Sequence, residues 1–279
     1  MKWKPFMSPV ENLEPEEARA YMRAHAEGDY TLLDVRQPGE YASRHLPGAV
    51  LLPLPELSDR ISELDPQKPV LAYCAVGGRS RSAAQYLSES GFDRVYSLKG
   101  GIKAWDGLTA AGPEDEGMVW FRGDETVPEM LSLAYGMEQG LADFYRAVAE
   151  HRDEPDVLEL LERLASIEDL HREHLWSLYP THDPQSRDRK AFESGRVADM
   201  MEGGVTIAEF LSRYKSEMST LQGVLSMAMM LEAQALDVYS RYAHKSEDGS
   251  TRKVLLQIAN EEKEHLEALG RLLDDRASS

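Results

Sequence analysis

The sequence predicts two domains of different class: an α/β domain with a mainly parallel sheet and flanking helices, then an all-α domain of long helices. Three observations carry this. Short aliphatic runs bounded by Gly, Pro, Asp or Lys alternate with short amphipathic segments over the first part of the chain, which is the strand–helix alternation of a parallel sheet. Further on no such run recurs, and apolar residues fall three and four apart over long stretches. The charge changes at the same place. Residues 1–110 hold 15 of the 49 acidic and 13 of the 31 basic residues, a net of −2, and residues 111–279 hold the rest, a net of −16.

In order, TLLDV, AVLLP, PVLAY and VYSL read as buried strands, with PEEARAYMRAHA and RSRSAAQYLSESG as helices among them. The stretch from Asp106 to Pro128, rich in Gly, Asp and Glu, reads as a linker, and the apolar MVWF inside it is expected to pack on one of the domains. The expected boundaries are 1–108 for the first domain, 109–127 for the linker and 128–279 for the second.

Composition bounds the function. The chain has 279 residues, 42% hydrophobic and 29% charged, a soluble globular composition. Mean hydropathy is −0.47, and no run approaches the ~18 apolar residues of a membrane span. No apolar stretch follows the start MKWKPF, so no secretory signal is expected. A net charge of −18 argues against nucleic acid or an anionic membrane as partner. Cys74 is the single cysteine. It cannot form an internal disulfide or build a zinc or iron–sulfur site alone, and it fits a reducing, cytoplasmic setting. Any metal site must draw on carboxylates and the eight histidines.

Cys74 ends PVLAYC and opens CAVGGRSRSAAQYL. A strand thus delivers the thiol to a Gly-rich turn, with a helix beginning near Ser80. Loop amides and the helix N-terminus direct positive partial charge inward, and Arg79 and Arg81 add full charges. These favour the thiolate, which is the nucleophile. Gly77 and Gly78 permit a sharp turn that brings N–H groups close to a bound group. The residues predict a nucleophilic thiolate in an anion cradle. Over about residues 10–108 the chain resembles the rhodanese (sulfurtransferase) family, through LLDVRQPGEYASRHLPGAVLLP, the loop CAVGGRS and the closing GFDRVYSLKGGIKAWDG. The resemblance implies that Cys74 takes up sulfane sulfur as a persulfide from a small donor and passes it to a thiophilic acceptor. Arg79 is the expected catalytic partner, and the amides of Ala75, Val76, Gly77, Gly78 and Arg79 are the expected cradle. The Cys-x4-Arg spacing is shorter than the Cys-x5-Arg loops of phosphatase-like and arsenate-reducing enzymes, which favours sulfur transfer. Asp34 and Arg36 of the DVR signature are read as structural, and His45 as a packed loop histidine.

The second part is an internal repeat with an offset of 94 residues. Leu131, Ser132 and Ala134 fall on Leu225, Ser226 and Ala228; Tyr145 falls on Tyr239, Leu161 on Leu255, Ala165 on Ala259. Glu138, Glu168 and His171 fall on Glu232, Glu262 and His265. Glu and His three apart share one helix face, and Glu138 and Glu232 interrupt apolar faces (LSLAYGMEQGL, LSMAMMLEAQAL) where an uncompensated carboxylate is costly. Four carboxylates and two imidazoles on four helices make two adjacent sites for divalent cations. Tyr145 and Tyr239, seven residues after their glutamates, are candidates to hydrogen-bond the ligating carboxylates. His174 falls on Ala268 and Glu261 on Ile167, so neither has a counterpart and neither is expected to be a ligand.

From about 125 to 279 the chain resembles the ferritin-like superfamily, in its rubrerythrin-type and erythrin-like branches. This implies a four-helix bundle with helices near 129–151, 155–179, 217–245 and 250–275. A long crossover over 180–216 joins the middle two, with Thr206 and Glu209 as a capping box. It also implies two iron ions, with Mn or Zn as other metals suited to the donors, reacting with oxygen or peroxide and reduced by an external electron donor. Two departures stand out. Rubrerythrins carry another glutamate where this chain has Ala235, and a rubredoxin domain with four cysteines that is missing here. The functional expectation is a sulfurtransferase fused to a di-iron domain of oxidase or peroxidase type. A sensor in which the first domain regulates or docks to the second, and a metal-free helical interaction module, are the other readings. A homodimer packing bundle on bundle is an expectation from the apolar LSLAY and LSMAMM.

Overall fold

A computed structural model of the chain describes residues 10–115, 121, 123–182, 188–194 and 220–277. They form two compact units, Met1–Asp115 and Glu116–Ser279.

The first unit is a five-stranded sheet with β1 at Glu11–Leu13, β2 at Thr31–Asp34, β3 at Val50–Leu51, β4 at Val70–Tyr73 and β5 at Val95–Leu98. The order is β1-β5-β4-β2-β3 and every pair is parallel. All residues of β2 and β4 are buried, as unbroken aliphatic runs require of strands covered on both faces. Helices α1 (Pro15–Ala24), α2 (Pro38–Ser43), α3 (Leu57–Arg60), α4 (Gly78–Glu89) and α5 (Gly101–Ala104) follow or separate the strands. Alternation along β4 sends Leu71 and Tyr73 into one apolar cluster and Val70, Ala72 and Cys74 into another, which includes Ala83, Ala84 and Leu87 of α4. The short β1 carries no aliphatic run. Only Leu13 of it is buried, and pairing of Leu13 with Leu98 at the sheet edge holds it.

The expected linker divides between the units. Ala110 exchanges backbone hydrogen bonds of 2.9 Å with His45 in the first. Of MVWF, 118–120 lie outside the described residues, and Phe121 is buried in the second unit with its ring 3.9 Å from that of Tyr242.

The second unit is a helical bundle of α6 (Val127–Ala149), α7 (Pro155–His182), α9 (Leu221–Lys245) and α10 (Gly249–Ala277), with the short α8 (Arg189–Ser194) between its halves. Helix α6 opens on a capping box of Thr126 and Glu129 with Pro128 in the first turn. Thr220 Oγ1 caps α9 by accepting the Gly223 N–H at 3.0 Å. Helix α6 packs on α7 and α9 on α10, and the halves meet through α7 with α9 and α6 with α10. Most of the crossover, including Thr206 and Glu209, lies outside the described residues. On α8, Phe192 is buried and its carbonyl accepts the Ser132 hydroxyl at 2.5 Å. The apolar core is in two clusters. One gathers the start of α6, the end of α7, the end of α9 and the start of α10; the other gathers the opposite ends. Between them the sequence places Glu138, Glu168, His171, Glu232, Glu262 and His265.

Candidate functional site

Cys74 follows the last residue of β4, at the carboxyl end of a central strand, where open parallel sheets place their ligand sites. Helix α4 starts at Gly78, two residues earlier than Ser80, because Gly77 is left-handed (φ +93°) and turns the chain directly into the helix. A Cβ at Gly77 would stand 3.2 Å from the Gly100 nitrogen. The Gly77 N–H donates to Cys74 Sγ at 3.1 Å. Burial pushes the Cys74 thiol up, but the polar groups beside it, those of Ser80 first and then the Val76 and Gly77 amides, outweigh this and hold the thiol below its ordinary range. Of the expected cradle, Gly77 directs its amide at the sulfur. The Val76 side chain is 61% exposed, which puts an apolar group at the rim of the loop.

The motif GGIKAW acquires a role that spacing alone did not give it. Gly101 has φ +60°, and a Cβ there would fall 2.2 Å from the Cys74 carbonyl oxygen. The Ile102 and Lys103 N–H groups donate to the carbonyls of Cys74 (2.8 Å) and Ala75 (3.1 Å). The start of α5 is therefore the floor on which the cysteine loop rests.

Arg79 engages Glu40 through two parallel bonds of 2.7 Å, with Cys74 also within its electrostatic reach. The Arg79 guanidinium holds Glu40 down to about 2. Glu40 lies in the quoted stretch RQPGEYASRH, yet sequence reasoning assigned it no role; nothing in its local pattern reveals a partner 39 residues away. Asp34 accepts from the Arg36 backbone N–H and side chain at 2.6–2.9 Å with both groups buried. Arg36 also donates to the Arg44 carbonyl at 2.6 Å, tying β2 to the loop after α2. His45 is buried, stacked on Tyr41 with ring centroids 3.7 Å apart, and its Nδ1 is 2.9 Å from the Tyr41 carbonyl.

In the helical unit the structure brings together the six repeated residues as two triads. Donor atoms of Glu138, Glu168 and His171 lie within 4.8 Å of one another, and so do those of Glu232, Glu262 and His265. His171 Nδ1 is 2.8 Å from Glu168 and 3.5 Å from Glu138; His265 Nδ1 is 3.2 Å from Glu262 and 3.5 Å from Glu232. The two imidazoles stack face to face, centroids 3.8 Å apart and planes within 3°, so the approximate two-fold axis of the repeat passes between them. All four glutamates are buried. Burial raises Glu168, with the nearby Glu232 adding to the effect. Burial acts on Glu232 in the same sense, but hydrogen bonds with His265 and Glu262 and the charge of the histidines hold it low.

The donor set fits divalent metal. Oε1 of Glu168 is buried without a hydrogen-bond partner, a costly state that a cation would relieve. Carboxylate and imidazole suit iron, manganese or zinc. Tyr145 and Tyr239 are fully buried, one in each apolar cluster. The Tyr239 hydroxyl donates to Met137 Sδ at 3.6 Å. His174 and Glu261, the residues without repeat counterparts, pair with each other at 3.2 Å.

A model of the rhodanese-like domain matches residues 15–108. The uncharacterized protein YqhL of Bacillus subtilis is 41% identical over 103 residues, 37% of this chain and 77% of that protein. The chain belongs to the rhodanese-like family. A protein from Allochromatium vinosum named sulfurtransferase is also 41% identical, over 88 residues, 31% of this chain and 82% of that one. A rhodanese-related protein from Thermoplasma volcanium aligns at 25% identity and a TM-score of 0.33, over 36% of this chain and 98% of that one. A rubrerythrin model matches residues 223–279, so a rubrerythrin domain follows the rhodanese-like one. In that rubrerythrin domain Ala235 is buried in an apolar cluster, leaving no carboxylate at the position of the family's extra glutamate. Among the described residues no helix is long and apolar enough to cross a membrane.

Proposed function

We propose that the rhodanese-like domain is a sulfurtransferase whose nucleophile is Cys74. The observation that carries this is one buried sulfur between a strand end and a helix N-terminus, accepting the Gly77 N–H at 3.1 Å. The Cys74 thiolate attacks the outer sulfur of a sulfane donor such as thiosulfate. The donor S–S bond breaks, its electron pair leaves with sulfite, and a Cys74 persulfide forms. A thiophilic acceptor, cyanide or a thiolate, then attacks the terminal sulfur, and the thiolate returns to Cys74 with no net redox change. The loop amides hold the anionic sulfur in both states. Arg79, fixed by Glu40, supplies positive charge beside it. Thiosulfate:cyanide sulfurtransferase assays test this. Wild-type turnover that vanishes in Cys74→Ala is the expected result; a folded wild type inactive with every sulfane donor contradicts it.

For the rubrerythrin domain we infer a two-metal centre of oxidase or peroxidase type, held by Glu138, Glu168, His171, Glu232, Glu262 and His265. When bound, a pair of irons would supply one electron each to oxygen or peroxide. The chain's own contribution is to bury four carboxylates so that they gain more from cations than from water. Two apolar clusters above and below the charged layer restrict solvent. A small sulfur donor, a thiophilic acceptor and an external electron donor are the partners this reading needs.

A further inference from the structure

Among the positions where the repeat is broken, two pairs flank the triads and face each other across α7 and α10. Helices α7 and α10 run antiparallel past each other with the His171–His265 stack at their crossing. On one side of that stack lies a pocket of about 100 Å³, walled by Leu160, Leu164, Ile167, Leu269 and Leu272 and ending on Glu168, Glu232 and His265. Its mouth includes Ala268, which is exposed, and Arg163. On the other side the apolar walls recur: Leu164 falls on Ile258, and Leu269 on Leu175. There, however, Ile167 is replaced by Glu261 and Ala268 by His174, and the His174–Glu261 pair spans the helices at 3.2 Å. The same two positions are thus apolar where the pocket is, and bridged by an imidazole–carboxylate contact where the repeat places its mate.

We propose that the rubrerythrin domain binds a small uncharged molecule in the Leu164–Ala268–Leu269 pocket, on one side only of the two triads, and that Ile167 and Ala268 determine that side. The proposal rests on the metal reading only in making this molecule a neighbour of the metals; the pocket itself is formed by the chain. Size and lining set the ligand class. Apolar cavities on the order of 150 Å³ take up benzene or xenon, so this somewhat smaller, open-mouthed space suits a molecule of a few heavy atoms. The net charge of −16 in residues 111–279 disfavours an anion. Leucine and isoleucine walls offer a polar solute no hydrogen bonds.

The test uses the full chain, crystallised and exposed to xenon under pressure, with metal content measured on the same sample. The expected result is xenon among Leu164, Ala268 and Leu269 in the wild type and none beside His174. Ile167→Glu with Ala268→His, which imports the opposite side's pair, should abolish that density. His174→Ala with Glu261→Ile should create a second xenon site across the stack. Ala268→Leu, which fills the mouth without adding charge, serves if the double variants do not fold, and should cut xenon occupancy at least ~10-fold. Xenon absent from the wild-type pocket, present on both sides of the wild type, or undiminished in Ala268→Leu overturns the proposal. Xenon bound as expected in protein that takes up no metal supports the pocket and counts against the metal reading alone.

Discussion

The two sites solve opposite electrostatic problems with opposite materials. The cysteine loop, as proposed, would hold an anion and do so with backbone, the Gly77 N–H on the sulfur foremost, set by one left-handed glycine and braced by Gly101. Its side-chain charge, Arg79, is half committed to Glu40. The helical site, as proposed, would hold cations and do so with side chains: four carboxylates buried by packing, from residues up to 124 positions apart in sequence, with two imidazoles stacked between them. Amide donors are obligatory parts of any chain, so the first site costs little beyond its glycines. The second, on the proposed reading, relies on metal to offset the burial of its own charges. The contrast teaches where each site is fragile: the first to changes of backbone shape, the second to changes of charge.

The sharpest way to break the comparison is Cys74→Ala. Sulfur transfer should fall by on the order of 10⁴-fold or more, as for removal of a covalent nucleophile, while metal content stays at the wild-type value. A parallel loss of metal would show that the sites are coupled. Next in size is Glu168→Gln or Glu262→Gln. Metal affinity should fall by more than the ~10–100-fold that an outer-sphere partner is worth, measured by competition with a chelator. The metal-free protein should meanwhile melt no lower than wild type, because a buried carboxylate has been removed. Gly101→Ala tests the backbone side. Its Cβ would meet the Cys74 carbonyl at 2.2 Å, so the first unit should lose about 1–3 kcal/mol of stability and most of its transferase activity, with the helical unit unchanged.

Smaller effects sharpen the account. Glu40→Gln should lower transferase activity roughly 10-fold, the worth of a charge-assisted hydrogen bond that orients Arg79. Because Arg79 depresses Glu40 to about 2, the pair is complete above the ordinary carboxylate range and is lost only as pH falls through that value. The wild-type rate should accordingly show no carboxylate limb in mildly acidic buffer. Alkylation of Cys74 by iodoacetamide should reach half its maximal rate at a lower pH than a free thiol, since the folded loop favours the thiolate. The midpoint should move up when Ser80→Ala removes one donor.

Much of this was legible in the sequence, for identifiable reasons. Strand–loop–helix around Cys74 is contiguous, so its residues announce themselves together, and the repeat offset of 94 marked the six clustered groups twice over. Glu40, Ser80 and Gly101 were not legible as site residues. Each acts through a contact made by the fold, and each belongs to a type common on surfaces, helix starts or turns. The edge strand β1 was missed because three residues with one buried leucine leave no periodicity to read. The pairing of His174 with Glu261 was also invisible: lack of a counterpart said only what they were not, and the antiparallel approach of α7 and α10 supplied the rest.

The central claim, that one chain joins a thiolate held by amides to a metal pair held by buried carboxylates, is tested most directly by metal analysis with an optical spectrum of the intact protein expressed with ample iron. The account predicts two metal ions per chain after mild purification, retained in Cys74→Ala and lost in Glu168→Gln. Fewer than about one per wild-type chain would contradict it.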